Sequence, residues 1–140
     1  MTEDTRLLDF YAGNVEDHRG RTLAQIQAFP EDTLEHEHDF IQWLFPLRAP
    51  SPVNPEAPMV SDRDVEQFRA SADLARRLRR SFEVMLDFYG FAMFERDGSV
   101  CVERTAQFPQ RAANWLHPGN HNFLRITRIL TSMTILGQGG

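Results

Sequence analysis

Five prolines, Pro46, Pro50, Pro52, Pro55 and Pro58, crowd one short stretch and limit what the chain can fold into. Each locks φ, removes an N–H and clashes with a preceding helical turn, so neither a helix nor a central strand can run through them. Residues 46–60 are therefore expected to be extended, as a stiff crossover loop. With 140 residues the chain suits one domain with one core, so this stretch reads as an internal loop rather than a boundary.

Helical signals stand on both sides. Thr2, the acids after it and Gly13 bracket a first helix, and "GNVEDHRGR" follows as a polar loop. Thr22 can cap a second helix, ended by Pro30, and a third is expected from about Glu31 to a stop before Pro46. Ser61 with acids at 62, 64 and 66 is a clear start signal. From Ala72, Ala75, Leu78, Phe82, Met85, Leu86 and Tyr89 recur at three and four residues, predicting the longest amphipathic helix, closed by Gly90. "ERDGSVCVERT" alternates around Asp97-Gly98 and is the one candidate for a short hairpin. A helix from about Gln110 to Leu116, the turn "HPGN" and a last helix from His121 to Leu136 complete an expected all-α domain of about six helices. There are no internal repeats.

A composition of 41% apolar and 25% charged residues separates the chain from disordered sequences. No apolar run reaches the roughly 20 residues of a spanning helix, and the start "MTEDTRLLDF" is acidic, unlike a signal peptide. Lone Cys101 allows no internal disulfide, as expected for a reducing compartment, and a cytoplasmic protein is the expectation. All fifteen basic side chains are arginine, and a net charge of −5 argues against general nucleic-acid binding.

Two segments combine polar groups with dense apolar surroundings. In the third helix Phe40, Trp43, Leu44 and Leu47 form one stripe and Leu34, Ile41 and Phe45 a second, with His38 and Gln42 beside the latter. In the last helix Phe123, Ile126, Ile129, Leu130, Met133 and Leu136 form the apolar stripe, while Arg125, Arg128 and Ser132 share another side. Apolar Leu124 and Ile135 outside that stripe suggest a helix covered on more than one side. Buried polar groups cost roughly 1 to 3 kcal/mol each if unpaired, and buried guanidiniums need carboxylate or carbonyl partners. The two segments are therefore expected to meet and satisfy one another.

"HDFIQWLFPL" at 38–47, "NPEAP" at 54–58, "FEVMLDFYG" at 82–90, "NW" at 114–115 and "HNFLRITRIL" at 121–130 closely resemble the opioid growth factor receptor conserved domain. The resemblance runs in order from about Phe10 to Gly137; Phe29 stands near where the family often has a tryptophan. It implies a mostly helical intracellular protein unrelated to seven-helix receptors, here in a short, stand-alone, microbial form without the repeat-rich extension of the animal proteins. In animals the family is associated with binding an opioid pentapeptide, with nuclear or perinuclear location and with restraint of cell growth.

Three readings follow. In the first, the chain is a non-enzymatic binding module, a monomer or homodimer with a peptide, a small anionic ligand or a protein as partner. Its site is formed by His38, Asp39, Gln42, Trp43, Asn114, Trp115, His121, Asn122, Arg125 and Arg128. The same residues also fit an internal polar lock in which Arg125 or Arg128 pairs with Asp39. In the second, His38 or His121 serves as acid or base, or His36, His38, Asp39 and His121 hold a metal. Histidines at i and i+2 suit a helical metal site poorly, and no cysteine cluster, phosphate loop or nucleophile motif points to a cofactor or reaction. In the third, Arg69, Arg76, Arg77, Arg79, Arg80, Arg104 and Arg111 bind nucleic acid, although acids at 62, 64, 66, 73 and 83 interrupt them.

Overall fold

The structure, a computed structural model, describes residues 5–37, 39–49, 55, 57–115 and 122–136, with the backbone alone at 99, 100, 114, 115, 122 and 123. Four short helices come first: α1 (Arg6–Tyr11), α2 (Leu23–Gln27), α3 (Glu31–His36) and α4 (Ile41–Leu44). Next come α5 (Asp62–Ala70), the long α6 (Ala72–Tyr89), strands β1 (Phe91–Arg96) and β2 (Ser99–Arg104), α7 (Phe108–Trp115) and α8 (Asn122–Ile135).

Local chemistry sets several of these ends. Thr22 with Gln25, and Ser61 with Asp64, form reciprocal capping boxes at the starts of α2 and α5. The Ser71 hydroxyl accepts from Leu74 N–H and opens α6 directly after α5. Gly90 ends α6 at φ +95, and a Cβ there would stand 2.7 Å from the Phe108 backbone, so glycine meets both the left-handed turn and the close approach of α7. Thr5, not Thr2, precedes α1, Thr2 itself lying outside the described residues, as do residues 50–54 and 56 of the 46–60 loop. The ends of that loop meet, since Val60 N–H donates to the Leu47 carbonyl at 2.8 Å.

The expected all-α chain of about six helices is corrected on two counts. The Asp97-Gly98 segment does make a hairpin: Asp97 (φ 53) and Gly98 (φ 80) form the turn, and β1 and β2 pair antiparallel from Phe91↔Arg104 to Arg96↔Ser99. The class is thus mostly helical with a two-stranded sheet. The described residues also hold eight helices, because the single helix expected from about Glu31 to before Pro46 is two and Ser71 separates α5 from α6. Glu37 is extended (ψ 134), so the chain turns between α3 and α4 and the last carbonyls of α3 lose their helical donors. Apolar periodicity runs on through the break and hides it.

One cluster of buried residues joins these elements. Phe10 and Tyr11 of α1, Phe40 and Phe45 around α4, Phe68 of α5 and Leu78, Met85 and Phe88 of α6 are essentially inaccessible. Tyr11 packs edge to face on Phe10 and on Phe68. Its hydroxyl donates to the Leu44 carbonyl at 2.6 Å and lies 3.0 Å from the Ser81 hydroxyl, which also accepts from Gln27 at 2.9 Å. Burial pushes the Tyr11 phenol above its usual range, so it stays a neutral donor. Tyr11→Phe leaves the Leu44 carbonyl without that donor, and a loss of about 1 to 2 kcal/mol is expected. Urea denaturation checks it; an unchanged midpoint would show that the bond makes no net contribution.

Candidate functional site

Four of the polar residues singled out in the sequence, Arg125, Arg128, Asp39 and Trp43, fall into two connected groups. One is centred on α8. Arg125 is 6% exposed, and its guanidinium donates to the Leu34 carbonyl at 2.7 Å and, through its other terminal nitrogen, to the Glu37 carbonyl. It also lies over the Phe40 ring, 5.4 Å from the centroid. Arg128, one turn on, donates through Nε to the Phe45 carbonyl at 2.9 Å. The two arginines of α8 therefore take up carbonyls before, within and after the α3–α4 break. Burial holds both guanidiniums below the usual arginine range, yet arginine stays charged at any physiological pH.

The second group brings Asp39 and Trp43 onto the 13–22 loop. Arg19 reaches Asp39 at 3.1 Å and Glu37 at 2.8 Å, Arg21 reaches Asp39 at 3.1 Å, and His18 Nε2 lies 3.3 Å away. Trp43, 4% exposed, packs on Phe10 and donates its indole N–H to His18 Nδ1 at 3.0 Å. That bond makes Nδ1 an acceptor and leaves the ring proton on Nε2, facing Asp39. The loop is itself ordered by Asp17, whose buried carboxylate accepts from the Arg19 and Arg21 N–H groups at 2.9 and 3.0 Å and from Arg21 Nε at 2.7 Å. Asp17, His18, Arg19 and Arg21 were absent from the expected site, because a short polar run next to glycines reads as solvated. An Asp two residues before an Arg and three before a Gly is the available signal, that of a side-chain-closed turn.

The cations facing Asp39 thus come from the loop, and Arg125 and Arg128 use carbonyls. Gln42 is buried at 7% exposure. His38 and His121 lie outside the described residues, as do the side chains of Asn114, Trp115 and Asn122. Among the described residues, no group of three or more His, Cys, Asp or Glu is placed to hold a metal ion. The arginines of the proposed nucleic-acid surface are largely engaged: Arg76 and Arg77 by Asp73, Arg80 by Glu83, Arg111 by Glu31, and Arg104 on the Phe108 ring.

Partial burial acts against the Asp39 charge, but Arg19 and Arg21 outweigh it and hold the carboxyl below its ordinary value of 3.8. A carboxyl depressed by folding stabilises above its unfolded value, and that contribution is lost as pH falls through the lower, folded value. Asp39→Asn is therefore expected to reduce stability at neutral pH and to flatten its acid dependence below about pH 4. Denaturation midpoints measured from neutrality into the acid range check this; parallel curves for the two proteins would refute it.

Sequence patterning did not foresee the open feature, a groove of about 610 Å³ beside this lock. Its floor is one face of α6, with Arg80, Glu83, Val84 and Asp87 at helical spacing. One wall is the α2–α3 connection from Gln27 to Glu31 with Leu34, and the other is Phe91, Ala92 and Met93 of β1. Arg111 of α7 lies 3.4 Å from Glu31 and donates to the Asp87 carbonyl at 3.3 Å. Leu34 belongs to both features: its residue lines the groove and its carbonyl accepts from Arg125. The size falls within the range of small-molecule and short-peptide sites.

Residues 2–139 match the family described as the opioid growth factor receptor conserved region. The chain is 48% identical over 107 residues to the rat opioid growth factor receptor, 46% over 106 to the human one, and 37% over 112 to the mouse opioid growth factor receptor-like protein 1. Each alignment covers 76% of this chain but only 18%, 15% and 22% of the respective relative, so the chain spans less than a quarter of their length. No solved structure matches.

Proposed function

We propose a function from one premise: the chain belongs to the opioid growth factor receptor conserved-region family. It acts as an interaction module that binds a short peptide segment of a partner, inside the cell. The groove between the α2–α3 wall and β1 carries this reading. It is large enough for several side chains and has a mixed floor of Val84 with Arg80, Glu83 and Asp87. The relatives are named as receptors, which favours recognition over chemistry for the shared region.

Arg125, Arg128, Trp43 and Asp39 support the site rather than contact the ligand. Their donors and acceptors are engaged by the protein itself, and an anion would have to displace carbonyls already held at hydrogen-bond distance. Through the Leu34 carbonyl Arg125 fixes the wall opposite β1, so recognition takes place on a preformed surface.

Selection of short random peptides on the intact chain tests this reading, with Ala28→Trp as the control. Ala28 is an exposed residue of the wall, and an indole there fills the groove without touching the core. Peptides enriched on the wild-type chain and lost on the variant are expected. Equal enrichment on both proteins, or none on either, would overturn it.

A further inference from the structure

We infer that the groove recognises its peptide by strand addition, the partner pairing with the free edge of β1 and placing a cationic side chain at Asp87. This rests on the peptide-binding reading above and specifies how the peptide is held. The ladder supplies the first observation. Thr105 N–H donates to the Gly90 carbonyl at 2.8 Å, so Gly90 and Thr105, which are directly opposite, form a hydrogen-bonded pair. Alternation along the register then makes Ala92↔Glu103, Phe94↔Cys101 and Arg96↔Ser99 the bonded pairs, the last being the pair that closes a two-residue turn. Met93 and Glu95 consequently direct their N–H and C=O groups away from β2, and no other backbone bond engages them among the described residues.

That outward edge is the one on the groove. Three consecutive residues of β1, Phe91, Ala92 and Met93, line it, whereas a groove lying on a sheet face would meet alternate residues. No residue of β2 lines it. Open edges are usually blocked by charged side chains, proline or a bulge; the part of β1 on the groove, Phe91 to Met93, has none of these, and the strand's charges, Glu95 and Arg96, lie at its far end.

Charge selects the occupant. In the groove Arg80 is paired with Glu83 and Arg111 with Glu31, which leaves the exposed Asp87 carboxylate without a cation among the described residues. A guanidinium or ammonium on the incoming strand supplies the missing charge. A second copy of this chain would instead bring another Glu83 and Asp87, on a protein of net charge −5, to the same edge.

The probe is a synthetic peptide of alternating threonine and valine with one central arginine. Controls are its glutamate counterpart and a copy N-methylated at alternate residues, which keeps the side chains but removes the edge donors. On the intact chain, saturable binding of the arginine probe with slowed amide exchange at Met93 and Glu95 is expected. N-methylation or Met93→Pro should weaken binding at least about tenfold, the effect of one or two lost hydrogen bonds. Proline is tolerated on an edge strand, so Met93→Pro should keep the wild-type melt; if it fails to fold, the N-methylated probe on wild-type protein decides. Asp87→Asn should abolish the preference for arginine over glutamate.

Loss of binding in Ala28→Trp, with N-methylated probe and Met93→Pro binding as well as their parents, would leave the groove reading intact and overturn strand addition. Absence of any protection at Met93 and Glu95 would overturn it too. So would a wild-type dimer that Met93→Pro converts to monomer, which would give the edge to a second copy.

Discussion

Arg125→Ala is expected to destabilise the fold by about 3 to 6 kcal/mol, since hydrogen bonds to a charged group contribute about 1.5 to 3 each and two are lost. The Leu34 and Glu37 carbonyls sit at the break between α3 and α4, where no helical N–H can replace the guanidinium. The Phe40 ring also loses its cation. Arg125→Lys should recover only part of the loss, because a single ammonium cannot reach two carbonyls with the planar fork of arginine. Thermal and chemical denaturation of both variants measure this. A peptide titration of Arg125→Ala below its melting temperature separates the roles of the residue: affinity lost through a loosened Leu34 wall should return with the lysine variant in step with stability. Full stability with lost binding would make Arg125 a ligand contact and overturn its supporting role.

Trp43→Ala should cost a similar amount, about 3 to 5 kcal/mol, as for other large core deletions. The indole is 4% exposed, packs against Phe10 and lies edge to edge with His18, the two rings 14° from coplanar along their hydrogen bond. Its removal leaves a cavity that the rigid surroundings of Phe10, Phe40 and Leu44 cannot close, and frees His18 Nδ1 from its donor. Trp43→Phe keeps most of the packing and loses the N–H, so it should fall short by about 1 to 2 kcal/mol. Calorimetry on the pair divides the effect between packing and hydrogen bond. Wild-type melting of Trp43→Ala would refute burial of the ring.

Much of the architecture was legible in the chain because its signals are local. Thr22 and Ser61 cap helices where expected, the stripe from Ala72 forms α6 up to Gly90, and Asp97-Gly98 turns the hairpin. The meeting of the third-helix segment with the arginine helix was also legible, since buried guanidiniums and buried carbonyls demand partners. The identity of those partners was not. Asp39 reads as the natural mate of Arg125 or Arg128, but the loop from Asp17 to Arg21 folds over it with two arginines of its own. A polar loop and a polar lock have the same composition, and only proximity tells them apart. The groove was hidden for a related reason: Ala28, Val84 and Ala92 carry no chemical signature and line a groove only where three elements enclose space.

The orientation of α8 shows where the division lies. Its apolar stripe, read at the helical period, runs over Phe123, Ile126, Ile129, Leu130, Met133 and Leu136. The buried face keeps Ile129, Met133 and Leu136 of that stripe but adds Arg125 and Ser132, a rotation of roughly 60° toward the arginine side that leaves Leu130 55% exposed. Leu124, outside the stripe, is 77% exposed, and its side of the helix is not covered as expected. The sequence by itself determined that this segment is a helix with an apolar side and an arginine side, because period and propensity act over a few residues. Which side faces inward was decided by the α3–α4 break, whose carbonyls need donors out of reach of water. That requirement exists only once distant segments are packed together.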